Sequence, residues 1–184
     1  MWNPNNLQNA FLLPSFPYGG MENPCLTFVS STLLAGDRSQ AYVIAHEIAH
    51  SWTGNLVTNK NSEHFWLNEG FTVFTEQKIL GRMFGEPQRH LSAILETRSL
   101  EDAIEEMGEN GQYTSLVTNL TGVHPDEAFS TVPYAKGSMF LWFLEETVGG
   151  PGVYLLKVSQ FRNVFLVSSN SSKKRTKTSR PEVS

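Results

Sequence analysis

Val43-Ile44-Ala45-His46-Glu47-Ile48-Ala49-His50, with eighteen residues separating His50 from Glu69, is the stretch that decides how this chain folds. On a helix, positions i and i+4 share one face, so the spacing predicts that both imidazoles point at one place. Two neutral imidazoles and a carboxylate make a three-ligand zinc set that leaves a fourth position for water. Glu47 follows the first histidine directly, which puts a carboxylate beside that open position, where it can act as general base. The apolar flanks predict a helix buried around its histidines, and buried imidazoles without partners are costly. Phe65-Trp66-Leu67-Asn68-Glu69-Gly70-Phe71 likewise sets one acid in an apolar helix start, where a cation is its natural partner.

Outward from these motifs, periodicity predicts a mainly α chain with a small β element. The first helix is expected from about Gln40 through Thr53, capped by Ser39 and ended by Gly54-Asn55. A second is expected from Phe65 to about Phe84, with Gly81 and Gly85 at its end, and a third from about Pro87 to Met107. A fourth is read from Tyr134 to Val148, where Met139, Phe140, Phe143 and Leu144 keep helical spacing and Gly149-Gly150-Pro151-Gly152 stops it. Leu26-Thr27-Phe28-Val29-Ser30 reads as a strand. Residues 1–10 read as an unstructured lead, and Val153 to Val167 as a last short helical or strand segment. Residues 168–184 read as a disordered, basic, serine-rich tail.

Composition bounds the function classes. Of 184 residues 40% are hydrophobic, enough for one domain with its own core. No apolar run is long enough to span a bilayer. The opening residues lack the basic and apolar regions of a signal peptide, so the expected location is cytoplasmic. Cys25 is the only cysteine, so no internal disulfide can form. The net charge of −4 includes Lys173, Lys174, Arg175, Lys177 and Arg180 at the very end. The body is therefore more acidic still, which argues against nucleic acid as a partner.

Three motifs in order carry a family resemblance: Gly19-Gly20-Met21-Glu22-Asn23, His46-Glu47-Ile48-Ala49-His50-Ser51-Trp52 and Trp66-Leu67-Asn68-Glu69-Gly70-Phe71. Together they resemble the gluzincin zinc aminopeptidases, most nearly the branch that holds the leukotriene A(4) hydrolases and aminopeptidase B. The resemblance implies a thermolysin-like catalytic domain holding one zinc ion and acting on peptides with a free N-terminus. It implies His46, His50 and Glu69 as zinc ligands, Glu47 as general base and Tyr134 as the catalytic phenol. It implies Glu22 as the acid that grips the substrate's α-ammonium, within a substrate-binding stretch of Gly19, Gly20, Met21 and Glu22. Glycine at 19 and 20 lets backbone approach substrate closely. Glu76, two turns from Glu69, either hydrogen-bonds a ligand histidine or is an exposed helix acid.

The chain also departs from that pattern. Asp126 matches an acid tied to epoxide hydrolysis, which implies a lipid epoxide as alternative substrate, yet Phe129 stands where that branch has a second tyrosine. The likeness runs from about Phe11 to Lys157, so residues 11–167 are expected to form a partial, truncated catalytic domain. The family's flanking domains are then its missing partners, and strands beside Leu26–Ser30 are expected to be absent. A catalytically impaired zinc-binding fragment or splice product is the alternative to an active peptidase.

Overall fold

A computed structural model describes residues 9–153. Three strands form one sheet: β1 (Asn9–Leu13), β2 (Gly20–Met21) and β3 (Leu26–Ser30). Helices α1 (Ala41–Ala49), α2 (Trp66–Phe84), α3 (Glu86–Met107) and α4 (Val132–Thr147) follow among the described residues. The chain falls into two compact units divided between Trp142 and Phe143, and every candidate site residue lies in the first. No helix among the described residues is long and apolar enough to cross a membrane.

The sheet has the order β1-β3-β2. β1 runs parallel to β3 from Asn9 opposite Leu26 to Leu13 opposite Ser30, and β2 lies antiparallel on the other side. The expectation of missing strands beside β3 is therefore corrected: both of its edges are paired. The lead is corrected too, because Asn9 and Ala10 already belong to β1. That strand carries no alternating pattern, since four of its five residues are exposed. Only the backbone ladder with a segment 17 residues away makes it a strand. Expectations for residues 1–8 and 154–184 lie outside the described residues.

α2 is the central helix. It packs against both α1 and α3, and its inner side buries Val73, Phe74 and Leu80. The same side buries Asn68, Glu69, Thr72, Glu76 and Gln77, an unusual polar inventory for a helix core. Gly85, at φ +96°, ends α2 with its N–H on the Gly81 carbonyl, and α3 starts at once with Pro87 in its first turn. Leu100 of α3 joins Val132 and Ala135 of α4 in a buried cluster edged by Ile104 and Met139.

α1 is shorter than expected and differently capped. Gln40 precedes it without a side-chain cap bond, while the Asp37 carboxylate takes up the Ser39 N–H at 2.8 Å. The helix ends at Ala49 and passes into a turn. Burial around the histidines is also one-sided: Ala45, Glu47 and Ala49 are buried, whereas Ile44 and Ile48 are exposed.

Candidate active site

The site forms where α1 meets α2. His50 follows the last residue of α1 but keeps helical dihedrals (φ −56°, ψ −20°), so it stays on the face of His46. Glu69 enters from the first turn of α2. The two histidine Nε2 atoms lie 3.0 Å apart, and Glu69 Oε2 lies 3.2 Å from His46 Nε2 and 3.3 Å from His50 Nε2. A tetrahedral zinc with ligands at about 2.05 Å has ligand atoms about 3.3 Å apart, so this triangle fits one face of that tetrahedron.

The far nitrogens explain why the near ones converge. His50 Nδ1 lies 2.9 Å from the Thr53 carbonyl, and His46 Nδ1 lies 3.1 Å from Glu76 Oε2. With Nδ1–H donating in both rings, both Nε2 lone pairs face the shared point together with a carboxylate oxygen. Three acceptors meeting there are stable only around a cation or shared protons. Protonation answers this need in the metal-free chain. Burial alone would lower the His46 pKa, but hydrogen bonds to Glu69 and Glu76 outweigh it and lift it to about 10. His50 moves in the same direction, with Glu69 overcoming burial. The residues present therefore fit a zinc ion.

The turn after α1 completes this arrangement. Gly54 adopts φ +129°, and a Cβ there would come within 2.8 Å of His50 Nδ1, so the turn lies flat against the imidazole only with glycine. Fully buried Thr72, one turn beyond Glu69, donates to the Thr53 carbonyl at 2.9 Å and lies 3.1 Å from His50 Nδ1. Asn55 Nδ2 donates to the Glu22 carbonyl at 2.8 Å and ties the Glu22 loop to this turn. Thr53, Thr72 and Asn55 were not among the residues singled out from sequence. Thr72 had a usable signal, since i+3 from Glu69 shares its helix face.

Glu47 is 5% exposed, and its Oε2 has no hydrogen-bond partner among the described residues. Burial raises its pKa to about 7, against the pull of His46 and His50. One carboxylate oxygen each from Glu22 and Glu47 and one nitrogen of His50 lie within 4.8 Å of one another. Gly20, on edge strand β2, packs against the Glu47 side chain, and a Cβ at that position would come within 2.7 Å of Glu47 Cγ. Its openness therefore serves the acid beside it. Gly19 uses its carbonyl to accept from the Ser30 N–H, and Met21 is exposed.

Tyr134, near the start of α4, stacks on His46 with ring centres 6.1 Å apart and planes at 24°. Phe65 and Phe129 meet its ring edge-on at 6.0 and 6.2 Å. Burial, then the charges of Glu69, Glu22 and Glu47, push the phenol pKa upward, so it keeps its proton. Glu76 is buried on His46 and is no exposed helix acid. Asp126 stands apart from this group. Its side chain is 91% exposed, 3.6 Å from His124, in the wall of a cavity of about 220 Å³ also lined by Phe65, Trp66, Leu120 and Phe129.

Comparison with known proteins shows what the chain is similar to. The chain is 53% identical over 158 residues to leukotriene A-4 hydrolase of Xenopus laevis, covering 86% of this chain and 26% of that protein. It is 54% identical over 140 residues to leucine aminopeptidase 2 of Sclerotinia sclerotiorum, covering 76% of this chain and 23% of the relative. Among solved structures, yeast LTA4 hydrolase in complex with bestatin superposes with a TM-score of 0.77 at 50% identity, covering 80% of this chain and 24% of that one. The chain thus spans about a quarter of the length of these relatives, and its helices and small sheet match part of their catalytic domain. The Peptidase family M1 domain matches residues 4–177, nearly the whole chain, and the protein belongs to that family.

Proposed function

We propose that this chain is the zinc-binding core of an aminopeptidase that removes N-terminal residues from peptides. The observation that carries the reading is the convergence of His46, His50 and Glu69 on one point, with the unpartnered, buried oxygen of Glu47 on the neighbouring residue. His46, His50 and Glu69 would hold a zinc ion, which when bound supplies a Lewis acid and a water acidified toward neutrality.

The chain's own residues do the rest. Glu47 takes a proton from a water in the cleft and delivers it to the leaving amine, and its burial favours the protonated acid that forms between the two transfers. Tyr134 keeps its proton and donates it as a hydrogen bond to the carbonyl oxygen that gathers charge. Glu76 and the Thr53 carbonyl hold the two imidazoles in the tautomer that leaves Nε2 free. Glu22 pairs with the substrate's α-ammonium, so the cleft counts from the free end of the peptide. The open edge of β2 lets the peptide backbone lie alongside Gly20 and Met21.

Glu22 gives the test. The zinc-loaded chain is expected to cleave, or where turnover is slow to bind, a free-amine tripeptide at least about tenfold better than its N-acetyl form. Glu22→Ala should remove that difference, measured by product chromatography and calorimetric titration. Equal discrimination by parent and variant would mean that Glu22 does not read the amine.

A second reading, epoxide hydrolysis of a lipid, rests on the apolar cavity that borders Tyr134 through Phe65 and Phe129 and carries Asp126 in its wall. Its expected result is a diol formed from leukotriene A(4) above the spontaneous rate, reduced at least about tenfold in Asp126→Asn. Chromatography of the products checks it, and product at the spontaneous rate alone would leave the peptidase reading by itself.

A further inference from the structure

We infer that Gly70 and Gly137 are a positioning pair that sets the catalytic phenol against the metal-binding histidine. The inference rests on the role proposed above for Tyr134. The two glycines bring α2 and α4 into backbone-to-backbone contact. A Cβ built on Gly70 would lie 2.7 Å from Gly137 Cα, 2.9 Å from its carbonyl carbon and 3.2 Å from the Pro133 carbonyl oxygen. A Cβ built on Gly137 would lie 2.8 Å from Gly70 Cα and 3.4 Å from the Trp66 carbonyl oxygen. Neither glycine has the positive φ that would itself call for glycine. Helix interiors otherwise favour alanine over glycine, so the close approach is what these positions supply.

The crossing sits where it controls the site. Gly70 adjoins Glu69. Gly137 lies three residues beyond Tyr134, on the same face of α4. The ring of Tyr134 in turn stacks on His46. The zinc-binding residues come from α1 and α2 and the segment just after α1, whereas the phenol comes from α4. No hydrogen bond links Tyr134 to the three metal-binding residues among those described. The backbone contact leaves α2 and α4 no room to close further and so sets their separation at this crossing, with Phe65 packed on the Tyr134 ring beside it. An obstructing atom would be backbone, which cannot rotate away. Restoring an ordinary contact of 3.4 Å from 2.7 Å requires the helices to part by about 0.7 Å. Misplacement on that scale at a reacting centre costs on the order of a hundredfold in rate.

The test uses the zinc-loaded 184-residue chain. In the parent, NMR is expected to show a strong NOE between the Gly70 and Gly137 α-hydrogens and another between the His46 and Tyr134 rings. Gly137→Ala should bind zinc as the parent does, because α4 supplies no ligand, whereas Gly70→Ala sits beside Glu69 and its zinc affinity is measured alongside. Both should lose the His46–Tyr134 cross-peak. Their kcat should fall about a hundredfold with KM changed less than about twofold, and Tyr134→Phe should add nothing in either background. Leu100→Ala, which opens a cavity beneath α4, should lose stability and keep the cross-peak, separating positioning from general destabilisation. A folded glycine variant that retains the His46–Tyr134 cross-peak would overturn the inference. So would a parent without the Gly70–Gly137 NOE, a measurement that needs no variant to fold. Loss of the ring cross-peak with kcat unchanged would uphold the positioning and overturn the role given to Tyr134.

Discussion

His50→Ala is expected to lower zinc affinity by on the order of a hundredfold or more. Losing an outer partner of a ligand typically costs ten- to a hundredfold, and losing a ligand costs more. His50 is also the pivot of the site: its Nε2 lies within 3.3 Å of both His46 Nε2 and Glu69 Oε2, and its ring is 2% exposed. The variant leaves a buried gap with two donors, which no longer describe a tetrahedral face. Competition against a chromophoric chelator measures the loss. Stability should follow, since a metal at a hundred times its dissociation constant adds about 2.7 kcal/mol to the folded state. The parent is therefore expected to melt lower after chelation, by a shift largely missing in His50→Ala. Equal zinc affinity in parent and variant would remove His50 from the ligand set.

Glu47→Gln is expected to keep the metal and lose turnover by a factor of about 10² to 10⁴, the usual contribution of a positioned general base. The amide has the shape of the acid but no basic oxygen. The same variant carries a stability signature in the metal-free chain. Burial raises the Glu47 pKa from its usual 4.5 to about 7. Folding therefore favours the protonated acid, a contribution fully present below pH 4.5 and lost as pH rises through 7. At pH 8 the parent folds against a buried charge that glutamine does not carry. Glu47→Gln should then be more stable than the parent by on the order of 2 kcal/mol at pH 8, with the difference gone by about pH 4.5. Thermal melts across that range check the stability effect, and steady-state kinetics with metal analysis check the rate. Full turnover in Glu47→Gln would rule out this residue as the base.

Helices α2, α3 and α4 were legible to within two residues at each end, because local signals bound them. Gly85 and Gly108 adopt positive φ at two of those ends, and Pro87 sits in the first turn of α3. α1 was overestimated by four residues at its end. Its periodicity continues to Thr53, but Gly54, at φ +129°, turns the chain back onto the His50 ring, a local contact that side-chain periodicity does not register. β1 is not legible for a different reason: strand formation there depends on a non-local parallel partner.

By itself the sequence determined the residue types of the candidate metal site and their spacing. A helix repeats every 3.6 residues, so His46 and His50 must share a face wherever the chain goes. It also determined the family, through three motifs in fixed order. Only the tertiary structure decided how α2 meets α1, which brings Glu69 Oε2 within 3.3 Å of both imidazoles, and whether Glu76 faces His46 or water. It alone revealed Thr53, Thr72 and Asn55 around the site and the contact of Gly70 with Gly137. Those relations join segments up to 67 residues apart. Side-chain periodicity specifies which face of a helix is turned inward, but what that face meets is set by packing between elements, and packing has no period in the sequence.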